Sequence, residues 1–146
     1  MIRDITTEDK PRILELSEMF FKERLERSGV TFSPENADQY FDIFLKTPGL
    51  LALCAQEEGR IVGMIVGVAS AIIFAKELAM QEMVWYVEPT SRKCGLQLLR
   101  EFEKRSTERG LHYVMMIGMS GDSILSVYPR LGYTETQNVF MKRLGR

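Results

Sequence analysis

The chain has 146 residues, of which 45% are hydrophobic and 27% charged, a composition typical of a soluble globular protein. This length predicts one domain over residues 1–146. Nineteen basic and twenty acidic side chains give a net charge of −1, so no overall field favours nucleic acid or an anionic membrane as a partner. Two cysteines do not make a disulfide framework, and a single histidine, His112, argues against a histidine-based zinc site and a Ser-His-Asp triad.

The one long apolar run does not indicate a membrane segment. Residues 61–75 are nearly uncharged, but Lys76 and Glu77 end the run before the roughly 20 residues that a bilayer span needs. Its β-branched residues and two glycines favour a buried strand. The N-terminus has neither the charged start nor the apolar core of a signal peptide, which predicts a cytoplasmic protein.

Hydrophobic spacing alternates between strand-like and helix-like along the whole chain. Glycines mark several boundaries: Gly59 suits a hairpin turn with positive φ, and Gly110 caps a helix. The predicted elements are a strand at 2–5, a helix from Thr6 or Thr7 to about residue 27, a helix from Ser33, strands at 50–56, 61–74 and 78–87, a helix at 94–109, a strand at 111–119, a short helix at 122–131 closed by Gly132, and a strand at 133–143.

This order, β-α-α-β-β-β-α-β-α-β, predicts an α/β fold with a mixed sheet. An antiparallel meander comes first. A βαβ crossover follows, in which the strands at 78–87 and 111–119 should lie parallel, connected in the usual right-handed sense.

The segment from Glu82 to Leu99 has the pattern of an anion site. An apolar strand ends at Val87, Pro89 stops it, and a basic loop at 92–95 leads into an amphipathic helix. The unpaired N–H groups and the positive end of the helix dipole would point at one spot, and Gly95 would let a phosphate approach the backbone closely. The alternative is a solvated basic loop with a helix-capping glycine.

Two motifs in this framework resemble the GNAT superfamily of N-acetyltransferases. The family's acetyl-coenzyme A signature, Arg/Gln-x-x-Gly-x-Gly/Ala, is matched by Arg92-Lys93-Cys94-Gly95-Leu96-Gln97, preceded by Val87-x-Pro89. The family's late Tyr-x-x-x-Gly-Phe/Tyr pattern is matched by Tyr128-Pro129-Arg130-Leu131-Gly132-Tyr133. The resemblance covers almost the whole chain. It implies a GNAT-like (acyl-CoA N-acyltransferase) fold and transfer of an acetyl group from acetyl-CoA, the acyl-donor cosubstrate, to a primary amine of a small molecule or peptide in a ternary complex.

The resemblance also implies where coenzyme A would bind. The basic loop and the helix start would hold the pyrophosphate, and the end of the fourth strand would pair with the pantetheine arm. The implied contact residues are Tyr86, Val87, Arg92, Lys93, Cys94, Gly95, Leu96, Gln97 and Ser123.

Two positions depart from the family pattern. Gln97 stands where the signature has glycine or alanine, and its side chain must point away from the pyrophosphate. Gly121 stands where many members have an asparagine that contacts pantetheine; Asp122 or Ser123 would substitute there, or would cap the next helix instead. These departures keep a second hypothesis open, a degenerate member that binds acyl-CoA or a protein partner without catalysis.

Tyr128 and Glu82 are the candidate catalytic residues. A positioned phenol at Tyr128 would protonate the coenzyme A thiolate, and Glu82 on the fourth strand would take a proton from the attacking ammonium. Strand alternation places Met80, Glu82, Val84 and Tyr86 on one face, and an unpaired carboxyl there should have a raised pKa. The alternatives are a core tyrosine and an exposed or ion-paired glutamate.

Other expectations concern reactivity and partners. Cys94, at a helix N-terminus beside two basic residues, is expected to have a lowered pKa without a covalent role. In this family the first two helices form one wall of the site that binds the acceptor amine. The side chains of these helices in this chain indicate no single class of amine. Homodimers are common in the family, and an edge at 133–143 would serve one. No metal is expected.

Overall fold

The computed structural model describes residues 1–145. Its strands are β1 Ile2–Asp4, β2 Leu50–Glu57, β3 Arg60–Ala71, β4 Leu78–Val87 and β5 Tyr113–Met115; its α-helices are α1 Lys10–Arg24, α2 Pro34–Leu45, α3 Cys94–Glu108 and α4 Ile124–Val127. Short 3-10 turns occupy Thr7–Asp9, Glu26–Ser28, Pro89–Ser91 and Tyr128–Leu131. No helix among the described residues is long and apolar enough to cross a membrane.

The five strands form one mixed sheet in the order β1-β2-β3-β4-β5. The first four are antiparallel neighbours, and β5 lies parallel to β4, as the crossover predicted. Glu58 and Gly59 both have positive φ in the turn between β2 and β3, as a tight two-residue hairpin requires. The mixed α/β fold class is confirmed.

Helices cover both faces of the sheet. On one face Leu98, Leu99 and Phe102 of α3 pack on a core that includes Leu53 and Ile65. The other face is covered by α1 and α2, and its core includes Ile5, Ile13, Leu16, Phe41, Met64 and Tyr86. Gly67 lets α3 approach β3, since a Cβ built there would lie 2.5 Å from the Phe102 ring.

The second half of the chain differs from the sequence prediction at three elements. The strand expected at 111–119 is only three residues long, and the helix expected at 122–131 divides into α4 and a 3-10 turn at Tyr128, because Pro129 supplies no backbone donor. The strand expected at 133–143 is wrong: no described residue after Leu131 is in a strand or helix. A strand needs a partner ladder, and β5 stops too early to provide one.

A β-bulge in β4 decides what Glu82 faces. Val84 pairs with Val66 and Glu82 pairs with Gly67, so that Met83 is an extra residue between them. Since paired residues share a face, the bulge moves Glu82 to the side opposite Val84. The prediction that Met80, Glu82, Val84 and Tyr86 share one face is therefore wrong: Glu82 lies on the α3 side.

Candidate active site

A cleft of about 320 Å³ opens beside the outer edge of β4. The strands β4 and β5 pair only from Ala79 to Gln81, so nothing among the described strands pairs with that edge of β4 from Glu82 onward. The start of α3 forms one wall of this β4–α3 cleft, and residues 117–131 form the opposite wall. Both candidate catalytic residues, Glu82 and Tyr128, line it.

Glu82 is a buried carboxyl with one polar partner. It is 4% exposed, and its Oε2 accepts a hydrogen bond from the Ile117 backbone N–H at 3.0 Å. Burial raises the pKa of Glu82 to about 7, and the Ile117 hydrogen bond only partly opposes this shift. The group therefore changes protonation near neutral pH, which suits proton transfer. The alternatives of an exposed or ion-paired glutamate are excluded by this geometry.

Tyr128 lies across the cleft from β4. Its hydroxyl donates to the Ile117 carbonyl at 3.1 Å, and its ring packs between Trp85 and Tyr133. Burial and the nearby Glu82 carboxylate both raise the pKa of Tyr128 well above its ordinary value. The phenol therefore stays protonated at neutral pH and is a proton donor rather than a base.

The N-terminus of α3 is open to the cleft. No side chain caps it, and its first turn has no acidic residue. The Gly95 N–H donates to the Arg92 carbonyl at 3.0 Å, and the other N–H groups of the first turn face an anion without a competing side chain. Gly95 lines the cleft, where a Cβ would face Trp85 and Val87 at 3.7 Å. Arg92 and Leu96 line it as well.

Arg92 is already engaged by α1. Its Nη2 lies 2.7 Å from Glu23 Oε1, and its guanidinium lies 5.3 Å from the centre of the Tyr86 ring. The Tyr86 hydroxyl donates to the same carboxylate at 2.8 Å. Glu23 was not anticipated from sequence, because a glutamate near the end of an amphipathic helix has no local signature.

Four of the nine implied contact residues, Tyr86, Lys93, Cys94 and Gln97, do not line the cleft. Tyr86 packs on the α1 side of the sheet, away from the cleft. Cys94 is buried, and its thiol donates to Glu57 Oε1 at 2.9 Å. The expectation of a lowered pKa for Cys94 is wrong, because burial and this carboxylate raise it. Lys93 and Gln97 are exposed and do not line the cleft, so the Gln97 side chain does point away from it.

The loop before α4 closes the far side of the cleft. Asp122 forms ion pairs with Arg24 and, at 3.6 Å, with Arg27, so the loop is tied to the end of α1. Ser123 lines the cleft and precedes α4, but its side chain makes no capping hydrogen bond. Gly121 has a φ of +85°, which a glycine adopts without strain. The Arg24–Asp122 bridge was missed, since 98 residues separate its partners.

A buried carboxylate anchors the loop that leads into α3. Glu88 is 5% exposed and is held by Arg12 at 2.7 Å and by Arg60. These residues come from α1 and the start of β3, so the loop is fixed to two elements. Such support keeps the start of α3 in place against β4.

The comparisons with known proteins agree with this architecture. The model of the Acetyltransferase (GNAT) family matches residues 12–133. The fold is similar to a transcriptional regulator from Bacillus halodurans C-125, with a TM-score of 0.81, 17% identity and 99% of each chain covered. It is similar to AAC(6')-Iy with the bisubstrate analogue CoA-S-monomethyl-acetylneamine, with a TM-score of 0.79 and 15% identity over 100% of this chain and 98% of that one.

A third similar structure is the ribosomal-protein-alanine N-acetyltransferase from Brucella melitensis biovar Abortus 2308, with a TM-score of 0.76, 17% identity and 99% of each chain covered. No curated protein gives a significant match. The family model covers most of the chain, and the solved structures share its fold from end to end. The chain belongs to the GNAT family of acetyltransferases.

Proposed function

We propose that this protein transfers an acetyl group from acetyl-CoA to a primary amine of a small molecule or peptide, in a ternary complex. The observation that carries the proposal is the shared position of Glu82 and Tyr128, a proton acceptor and a proton donor in one cleft, with the open N-terminus of α3 beside them. A similar structure holds a CoA bisubstrate analogue, and another is of an enzyme that acts on a ribosomal protein.

The charge and the open strand edge of the cleft support binding of coenzyme A. The N–H groups of the first turn of α3, with Arg92, would hold the pyrophosphate, and Gly95 and Leu96 would lie under it; Lys93, outside the cleft, would add only positive charge nearby. The unpaired edge of β4 near Val87 would accept the pantetheine amides, and Ser123 lies on the opposite wall. Acetyl-CoA would supply the acetyl group as a reactive thioester.

Glu82 and Tyr128 would then perform the proton transfers. Glu82, ionised above pH 7, takes a proton from the acceptor's ammonium, and the freed nitrogen lone pair forms the new C–N bond at the acetyl carbon. As the C–S bond breaks, Tyr128 gives its phenolic proton to the departing sulfur. The nitrogen loses its second proton as the amide forms, and that proton replaces, directly or through solvent, the one that Tyr128 gave to sulfur. The proton held by Glu82 passes to solvent, so both groups return to their starting states. Arg24 and Asp122, also in the cleft, are charged neighbours of Tyr128.

The competing hypothesis is a degenerate member that binds acyl-CoA or a protein partner without catalysis. Gly121 in place of the family's asparagine, and the engagement of the Tyr128 hydroxyl with Ile117, favour it.

A calorimetric titration with acetyl-CoA, followed by a turnover screen against amines, amino acids and peptides, separates the two hypotheses. We expect saturable binding and release of free thiol that depends on an amine. Binding with no turnover of any acceptor would favour the alternative. No binding at millimolar ligand would reject the enzyme and leave only the protein-partner form of the alternative.

A further inference from the structure

A second cavity lies on the opposite face of the sheet from the start of α3. It measures about 150 Å³ and lies between α1, α2 and strands β2, β3 and β4. We call it the α1–α2 cavity. Its lining includes Leu14, Tyr40, Phe44, Met64 and Val84.

The lining offers almost nothing to a polar ligand. No charged side chain is part of it. The Ser17 hydroxyl lines it but already donates to the Ile13 carbonyl at 2.8 Å. The hydroxyl-bearing Tyr40 is 54% exposed and stacks on Phe44 with ring centres 5.6 Å apart. A group bound here must therefore be apolar, and burying it against aromatic rings is favourable.

Met83 joins this cavity to the candidate active site. It is the extra residue of the β4 bulge, it is 41% exposed, and its side chain lines both the α1–α2 cavity and the β4–α3 cleft. The residues before and after Met83 line different sites: Glu82 lines the cleft and Val84 lines the cavity. Because the edge of β4 has no strand partner from Glu82 onward, a ligand can pass from one face of the sheet to the other over Met83.

We infer that the α1–α2 cavity binds an aryl or short alkyl group of the acceptor, whose amine lies at Glu82. This inference rests on the proposed acetyl transfer and names its substrate class, a primary amine with an apolar substituent. The size agrees, since an apolar protein cavity of about 150 Å³ holds a benzene ring. Amines with charged or sugar-like substituents would leave the cavity empty and gain nothing from it.

Binding can be measured without turnover, because two methionines line the cavity. Met64 is buried and Met83 is at the bulge, so methyl-labelled methionine gives a distinct NMR reporter at each point. We expect 2-phenylethylamine to shift both signals at millimolar concentration and ethylamine to leave Met64 unmoved. The exposed Met141 serves as the internal control.

A variant that fills the cavity tests the location. Ala37 lies on α2 and lines the cavity, so Ala37→Leu should reduce its volume and weaken 2-phenylethylamine binding at least tenfold. Ala75→Leu, on the exposed β3–β4 hairpin, is the matched control and should bind as the wild type does. Binding of acetyl-CoA should be unchanged in both variants.

Turnover supplies the second readout. The wild type should acetylate 2-phenylethylamine with a kcat/KM at least tenfold above that of ethylamine, mostly through KM, and Ala37→Leu should remove this preference. The inference would be overturned if 2-phenylethylamine and ethylamine shifted the Met64 signal equally, or if the wild type acetylated both amines with equal kcat/KM. Either result would do so regardless of how Ala37→Leu behaves. A Met64 shift specific to the phenyl compound, with acetyl-CoA bound and no amine acetylated, would instead reject the acetyl-transfer proposal and establish the cavity as an apolar binding site.

Discussion

Glu82 and Tyr128 hold the two backbone polar groups of one residue. The Glu82 carboxylate accepts from the Ile117 N–H at 3.0 Å, and the Tyr128 hydroxyl donates to the Ile117 carbonyl at 3.1 Å. Just after β5 leaves the sheet, these side chains therefore satisfy backbone groups that strand partners would otherwise satisfy. Any change at either residue acts both on chemistry and on the position of residue 117, and the variants below are chosen to separate the two effects.

Removing the Glu82 charge should abolish most of the activity. Glu82→Gln keeps an oxygen acceptor for the Ile117 N–H but cannot accept a proton, so we expect kcat/KM to fall by about 100-fold or more. The wild-type value should rise with pH through an apparent pKa of about 7. Assays with amines of different basicity should leave that midpoint in place, because it belongs to Glu82 in the free enzyme. The exposed Glu77→Gln is the control; equal loss in both variants would contradict the assignment.

The same substitution should change how stability depends on pH. The folded-state pKa of Glu82 is raised, to about 7 from an ordinary 4.5, so the native state holds its proton more tightly than the unfolded state does. The group therefore destabilises the fold progressively as pH rises from about 4.5 to 7, by about 3 kcal/mol in total.

Glu82→Gln removes this dependence. Its free energy of unfolding relative to wild type should increase between pH 5 and pH 8, as measured by urea titration at each pH. Other carboxylates are present in both proteins, so their contributions cancel in the difference. A difference that stays constant over this range would show that Glu82 does not titrate there.

Removing the Tyr128 hydroxyl should lower turnover and spare cofactor binding. In Tyr128→Phe the ring still packs on Trp85 and Tyr133, but no phenolic proton is available to the sulfur. We expect kcat to fall by about 100-fold and the Kd for acetyl-CoA to change less than threefold.

Tyr133→Phe is the matched control for Tyr128→Phe. It removes a neighbouring hydroxyl, which is bonded to Glu103 rather than directed at the cleft, and should retain wild-type kcat. Unchanged turnover in Tyr128→Phe would reject the role of general acid.

The first half of the fold could be read from sequence because its signals are local. Apolar periodicity, the Ser33 cap and the positive-φ position at Gly59 each act over a few residues, and the structure follows them. The pattern that predicted strand 133–143 is local as well, but a strand requires a partner. The shortness of β5, which depends on contacts far along the chain, removed that partner.

The site was partly predictable for the same reason. Position in the motifs placed Glu82 and Tyr128 in one cleft, although simple alternation assigned Glu82 to the wrong face. The bulge at Met83 corrects this, and a single extra residue leaves no mark in the sequence. Likewise, Cys94 follows a basic loop, which suggested a lowered pKa, but its partner Glu57 is 37 residues away.

Gly95 offers a test that separates ligand binding from folding. A Cβ at this position would lie 3.7 Å from Trp85 Cζ2 and Val87 Cγ2, an ordinary contact distance, so Gly95→Ala should fold normally. Alanine is favoured over glycine in a helix by up to about 1 kcal/mol, so the free energy of unfolding should stay level or rise. Gly95 lines the cleft, and the added methyl would take up space there beside Trp85 and Val87. If the pyrophosphate lies against the start of α3, as proposed, the Kd for acetyl-CoA should increase at least tenfold.

The exposed Gln97→Ala is the partner variant for Gly95→Ala. If the Gln97 side chain stays clear of the cleft, as its exposure indicates, its removal should leave the Kd for acetyl-CoA within twofold of wild type. Calorimetric titration of each variant with acetyl-CoA measures the two Kd values. Normal binding by Gly95→Ala would place the pyrophosphate elsewhere, while tighter binding by Gln97→Ala would show that this departure from the family signature does weaken the site.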